Sequence, residues 1–294
     1  MRDGRREMGD VKATPGPRFA DLQLHSSASD GSDSPSEVVR RAARKGFAAI
    51  ALTDHDTMDG VPEAATEAAA HGIELIPACE LSTLDDAERQ IDILAYGINV
   101  DDVEFQATLN TIRSGRLGRA YLMVQRLNEL GYAVSWERVQ AIAGGENIGR
   151  PHVARAMVEA GVVPTVKAAF TEEFILDGGR CYVQRVKITP TGAIEQIHRA
   201  GGVAVAAHPG RTGLTDEDVS HLASSGLDGI EVHYPRHSRA ETTRFAELAG
   251  RHELLVTGGS DDHGDVNEGR LMGRVRLPWL HVERLREAIA RRAG

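Results

Sequence analysis

The chain has 294 residues, 41% of them hydrophobic and 26% charged, which fits an ordinary globular protein built as one large domain or as a barrel carrying an insertion. Its 34 Lys and Arg against 43 Asp and Glu give a net charge of −9, so there is no global basic field for long duplex DNA, and an anionic substrate must be met by locally placed cations or by metal. Mean hydropathy is −0.29 and no run approaches the roughly 18 apolar residues of a membrane span, which excludes a transmembrane reading.

Residues 1–18 are polar, rich in Gly and Pro, and read as a mobile tail. They lack the apolar core of a secretory signal, and two cysteines, Cys79 and Cys181, cannot build a disulfide framework, so the expected compartment is the cytoplasm. A strand over FADLQLH is followed by a helix over DSPSEVVRRAARKG, where Asp33 or Ser34 caps, Pro35 suits the first turn and Gly46 stops the helix. Next come the strand FAAIALTDH, the helix VPEAATEAAAHG and the strands IELIPACELS and QIDILAYGI. Between 101 and 188 the pattern changes to helix after helix, over RLGRAYLMVQRLNELG, SWERVQAIA, RPHVARAMVEAG and PTVKAAFTEEFI. Alternation resumes with the helix TPTGAIEQIHRAGG, the strand VAVAAHPG, the helix TDEDVSHLASSG, the strand LDGIEVHY, the helix SRAETTRFAELAGRH, the strand ELLVTGGSDDH and the closing helix HVERLREAIARR. Continuous apolar strands joined by helices predict an α/β fold with a parallel sheet inside its helices. The expected organisation is a barrel over 19–100 and 189–294, with a helical insertion domain over 101–188.

Polar residues recur where the apolar strands end. Gln23 and His25 close the first, with Asp30 in the loop beyond; Asp54 and His55 close the second; Glu80 ends the third and Asp92 lies in the fourth. His208 ends VAVAAHP, and Asp261 and His263 end the last strand. Active sites of parallel barrels form at the mouth where strand ends converge. A single histidine at a strand end is ordinarily a structural hydrogen-bonding group. His25, Asp30, His55, Glu80, His208, Asp261 and His263 at successive strand ends are instead a ligand set for two or three divalent ions, which suits phosphate ester hydrolysis.

The stretches QLHSSASDGSDSP, ALTDHDT, PACELS, DILAYG, AHPGR and GSDDH, in that order, resemble the successive motifs of the PHP (polymerase and histidinol phosphatase) metal-dependent phosphoesterases over roughly 19–290. The branch it is most similar to carries a helical insertion and contains nucleotide 3′,5′-bisphosphate phosphatases and 5′-to-3′ exonucleases on short RNA. The resemblance implies a distorted (β/α)₇ TIM-like barrel, a trinuclear site and metal-activated water as the nucleophile. It places one metal among Gln23, His25, Glu80 and Asp261, a second among Glu80, Asp92 and His208, and a third among Asp30, His55 and His263. Two positions depart from the pattern: Gln23 replaces the first histidine of an HxH pair, where it is either a ligand or a hydrogen-bonding group behind the ligands, and Asp92 replaces a histidine. The harder Asp92 favours manganese, iron or magnesium over zinc, with manganese the expected ion.

GRPHVAR in the inserted helices puts Arg150, His152 and Arg155 within about one and a half turns. Such arginines ordinarily form a solvated face, but the resemblance implies that this motif and Arg211 clamp the substrate's other phosphate. His233 and His237, just past a strand end, are expected to contact substrate or to protonate the leaving oxygen. His71, His198, His221, His252 and His281 belong to surface or packing, and Cys79 to the core. The expected partner is a small nucleotide 3′,5′-bisphosphate or the 5′ end of a short oligoribonucleotide. Rival readings are a histidinol-phosphate-type phosphatase, which needs no such clamp, a polymerase-associated exonuclease, which is normally part of a longer chain, and a degenerate non-catalytic module that binds nucleotide or protein, favoured by Gln23. Oligomeric state is not encoded in any motif.

Overall fold

The structure, a computed structural model, describes residues 18–144, 148–183, 188–266 and 269–293. The expected tail lies outside them apart from Arg18, whose guanidinium stacks 3.2 Å from the centroid of the Trp279 ring. In chain order the elements are β1 (Phe19–Leu24), α1 (Pro35–Arg44), β2 (Ala49–Leu52), α2 (Val61–His71), β3 (Glu74–Leu81), β4 (Ile93–Tyr96), α3 (Val103–Glu129), α4 (Trp136–Ala143), α5 (Arg150–Glu159) and α6 (Val166–Ala169). They continue as α7 (Pro190–Arg199), β5 (Val203–Ala206), α8 (Pro209–Thr212), α9 (Asp216–Ser224), β6 (Gly229–His233), α10 (Arg239–Arg251), β7 (Leu255–Gly258), β8 (Leu277–Pro278) and α11 (Trp279–Ala293). Local signals act as the sequence implies: Ser34 caps α1 by accepting from the Glu37 N–H, while Asp33 turns to Arg41 instead.

The strands form one sheet in the order β7-β6-β5-β4-β3-β2-β1-β8. The sheet closes on itself beyond β7, where the Asp261 N–H donates to the Gln23 carbonyl at 2.9 Å and the His25 N–H to the Asp262 carbonyl at 3.0 Å. Gly259 makes this approach possible, because a Cβ there would lie 2.4 Å from Gln23 backbone and side-chain atoms. The result is the expected distorted barrel with its helical insertion.

Two strands depart from the all-parallel expectation. β4 runs antiparallel to both β3 and β5, and β8 antiparallel to β1. The reason for β4 is connection length: the chain between Leu81 and Ile93 is too short to carry a helical crossover and turns back as a hairpin. This reversal brings the start of β4, not its end, to the mouth. Asp92 therefore stands beside Glu80 from the end of β3, through the Leu81 and Ile93 pairing.

Since β4 delivers the chain to the base, the inserted helices must climb back. α3 does so in 27 residues, about 40 Å at 1.5 Å per residue. It starts well before the expected 116–131 helix because Asp102 caps it, accepting from the Phe105 N–H at 2.8 Å. Phe105, Leu109 and Ile112 pack on the barrel, whereas Met123, Val124 and Leu127 belong to a separate apolar cluster with Val139, Val153, Met157 and Ile175. PTVKAAFTEEFI is helical only over α6, and its remainder forms turns closed by bonds such as Cys181 N–H to the Phe174 carbonyl at 2.9 Å. No described helix is long and apolar enough to cross a membrane.

Candidate metal centre

Strand alternation puts Asp21, Gln23 and His25 on one face of β1, and Gln23 and His25 are buried at the mouth. Among the described residues, three groups of side chains meet there, each with its potential ligand atoms within 4.8 Å of one another. The first is His25, Glu80 and Asp261; the second is Glu80, Asp92 and His208; the third is His25, Asp30, His55 and His263. Glu80 belongs to two of them. His25 Nε2 lies 3.2 Å from both Glu80 Oε2 and Asp261 Oδ1, and His208 Nε2 lies 2.9 Å from Glu80 Oε1. His263 Nε2 is 3.3 Å from Asp30 Oδ1, and His55 Nδ1 is 3.6 Å from Glu80 Oε2. The first two groups are buried, whereas the third opens to solvent through Asp30, 36% exposed.

Charge decides what this arrangement fits. Burial opposes ionisation of Glu80, yet the imidazoles of His55, His208 and His25 hold its carboxyl well below the usual range. Burial likewise opposes charge on His208, but Glu80 raises its pKa to about 9. Burial and the nearby Glu80 push the Asp92 carboxyl up. The carboxylates thus require positive charge between them. Both ring nitrogens of buried His25 lack an aligned hydrogen bond despite their short contacts, as does His208 Nδ1. Buried nitrogens aimed at carboxylates without hydrogen-bond geometry fit divalent cations in a mixed N/O donor set. Two candidate ligand positions, His208 at φ 29° and Asp261 at φ 54°, carry left-handed backbone, a cost on the order of 1–3 kcal/mol each that the surrounding bonds hold in place.

Supporting groups surround the ligands. Gln90 Nε2 donates to both Asp92 oxygens at 3.0 and 2.7 Å, and the Tyr234 hydroxyl donates to Asp261 Oδ2 at 3.1 Å. Asp54, which closes β2, is no ligand: it accepts from the Ser26 N–H, the Ser26 hydroxyl and the Ser29 hydroxyl at 2.7, 2.6 and 2.6 Å, fixing the loop that carries Asp30.

Across the mouth stand the helices. A cavity of about 270 Å³ runs between them and the barrel, with Asp30 and His55 on one side, Arg119, Arg150, His152 and Phe170 on the other, and Arg211 beside them. Arg150 pairs with Asp177. His152 Nδ1 accepts from the Gly149 N–H at 3.0 Å, capping α5. Arg155 is half-buried on α5 and does not line this cavity.

The two histidines expected as substrate contacts are placed differently. His237 Nε2 accepts from the Gly210 N–H at 3.1 Å and Nδ1 donates to the Val232 carbonyl at 3.0 Å, so neither nitrogen is left to protonate a leaving group. It buttresses the turn that bears Arg211, where Gly210 is required because a Cβ would sit 2.7 Å from the ring. His233 is half-buried with its ring 5.9 Å from that of His281 and lines neither mouth cavity. Arg119, Gln90 and Glu231 were not singled out in the sequence. Glu231 alone carried a signal there, a carboxylate inside the apolar run GIEVH.

A PHP domain model matches residues 21–143. The chain is 36% identical over 275 residues to a 3′,5′-nucleoside bisphosphate phosphatase of Chromobacterium violaceum, covering 90% of this chain and 96% of that one. The chain belongs to the PHP metal-dependent phosphoesterases. The 5′-3′ exoribonuclease Rnm of Salmonella typhimurium is 34% identical over 270 residues, 90% of this chain and 88% of that one. A solved metal-dependent phosphoesterase from Bifidobacterium adolescentis superposes with a TM-score of 0.80 at 31% identity, covering 94% of this PHP chain and 98% of that one. The protein is accordingly an enzyme that hydrolyses phosphate esters.

Proposed function

We propose that this PHP enzyme removes phosphate from nucleoside 3′,5′-bisphosphates or trims the 5′ end of short oligoribonucleotides, in the cytoplasm and with manganese as the preferred ion. The observation that carries the reading is a cavity with the ligand groups on one wall and Arg119 and Arg150 on the other. One metal would be held by Gln23, His25, Glu80 and Asp261, a second by Glu80, Asp92 and His208, a third by Asp30, His55 and His263. Bound divalent ions supply Lewis acidity, offsetting phosphoryl charge and acidifying water.

The chain's own residues do the rest. Arg211, expected from the sequence at the other phosphate, has its Nη1 3.6 Å from Asp261 Oδ2 and from there would meet the phosphoryl group under attack instead. Arg150 and Arg119 take the distal phosphate, with Asp177 as the counter-ion that yields Arg150 to substrate. Phe170, 5.9 Å from the Arg150 guanidinium, offers an apolar face beside that phosphate. The helices over 101–188 act as a specificity domain set on the catalytic barrel. A net charge of −9 keeps long duplex DNA away, and two buried free thiols, Cys79 and Cys181, suit a reducing compartment.

The test is phosphate release from adenosine 3′,5′-bisphosphate with Mn²⁺, against adenosine monophosphate as control. Turnover with a strong preference for the bisphosphate is expected. Folded protein that turns over neither compound with any divalent ion would leave only a binding module.

A further inference from the structure

Glu231 stands in the middle of β6, fully buried, and belongs to none of the three ligand groups. Its carboxylate nevertheless meets two residues that do face the metals. Oε2 accepts from the His208 N–H at 2.9 Å, holding that residue in its left-handed conformation at φ 29°. On the other side lies the Gln23 carboxamide, sandwiched between Glu231 and Glu80.

The two ends of a carboxamide have the same shape, so their partners decide which is oxygen and which is nitrogen. With Nε2 toward Glu80, the amide makes one long contact of 3.3 Å to Oε2 and sets its oxygen against the Glu231 carboxylate, acceptor against acceptor. With Nε2 toward Glu231, it meets Oε1 at 2.9 Å and Oε2 at 2.8 Å. Against an ionised Glu231 the second orientation wins on hydrogen bonds. It turns Oε1 toward Glu80, and two facing oxygens in a buried site need a cation between them.

We propose that Glu231 is a positioning residue that fixes the Gln23 amide so that Oε1, not Nε2, is offered to the ion shared with His25, Glu80 and Asp261. The inference rests on the metal-centre reading above and adds the reason a neutral amide serves in place of an imidazole. One carboxylate braces two ligands from outside the ligand set: Gln23 through its side chain and His208 through its backbone. With Asp92 in the second group, Gln23 exchanges nitrogen for oxygen at two positions, which shifts the centre toward hard, oxygen-preferring ions.

The probe is Mn²⁺ alone, counted per chain by equilibrium dialysis and elemental analysis, with Zn²⁺ competition as a second readout. In Glu231→Gln the side chain at 231 sets an N–H₂ against the Gln23 N–H₂, so one Mn²⁺ per chain is expected to bind about 10- to 100-fold more weakly. The double variant Gln23→Glu/Glu231→Gln reverses donor and acceptor across the pair and is expected to restore the full Mn²⁺ count. Glu231→Gln that melts like the parent and binds Mn²⁺ with the parent's stoichiometry and affinity overturns the inference. So does a folded double variant that still lacks one ion, which also decides the matter should the single variant not fold. Parent protein that takes up no Mn²⁺ overturns the metal reading itself, a distinct result.

Discussion

The barrel mouth and the helical wall opposite it use charge in opposite ways. At the mouth, carboxylates and imidazoles pack against one another, His25, Glu80, Asp92 and His208 buried, with Gln90 and Tyr234 bracing Asp92 and Asp261. On the wall, Arg150 and Arg119 stand partly exposed and share the counter-ion Asp177. Buried, mutually dependent charge fixes geometry, whereas a partly exposed arginine can exchange one anion for another at lower cost. The proposed function accordingly assigns chemistry to the barrel and substrate choice to the helices, and each half has its own apolar core.

The sharpest way to break that division is Glu80→Gln. Glu80 belongs to two ligand groups, so phosphatase activity should fall by more than about 100-fold and at least one ion should be lost. Unchanged metal content by elemental analysis would deny its bridging position. Met157→Ala acts on the other half. It opens a cavity among Met123, Val153 and Ile175 and should cost about 2–5 kcal/mol of stability by denaturant melts, with the Mn²⁺ count unaltered. A loss of metal in that variant would mean that the two halves are not separable.

Arg150→Ala should raise KM for a bisphosphate about 10-fold or more and leave KM for a monophosphate nearly constant, read by steady-state kinetics on both. Equal changes would remove the clamp. Arg155→Ala is the smallest expected effect. The cavity excludes it, so KM should change by less than about 2-fold.

How much of this was legible in the sequence follows from where each signal lies. Parallel strands are buried on both faces and read as apolar runs, so a polar residue at the end of ALTDH or VAVAAHP stands out as a departure that needs a purpose. The direction of β4 did not stand out, because an antiparallel strand buried on both faces has the same apolar character as a parallel one. β8 pairs over only two residues, too few for any period. Arg119 is one of several polar residues on a long helix, and only tertiary packing decides which of them faces the cavity. His237 departs from expectation for a related reason: EVHYPRHS places it near the mouth, but its two backbone partners come from the end of β6 and the turn at Gly210.

Anomalous diffraction from crystals grown with Mn²⁺ shows whether the scattered side chains assemble one pocket for several divalent cations. Two or three peaks within coordination distance of Glu80, His208, His263 and their neighbours are the predicted result. An empty pocket in a well-ordered crystal, with ions plentiful, would contradict the account.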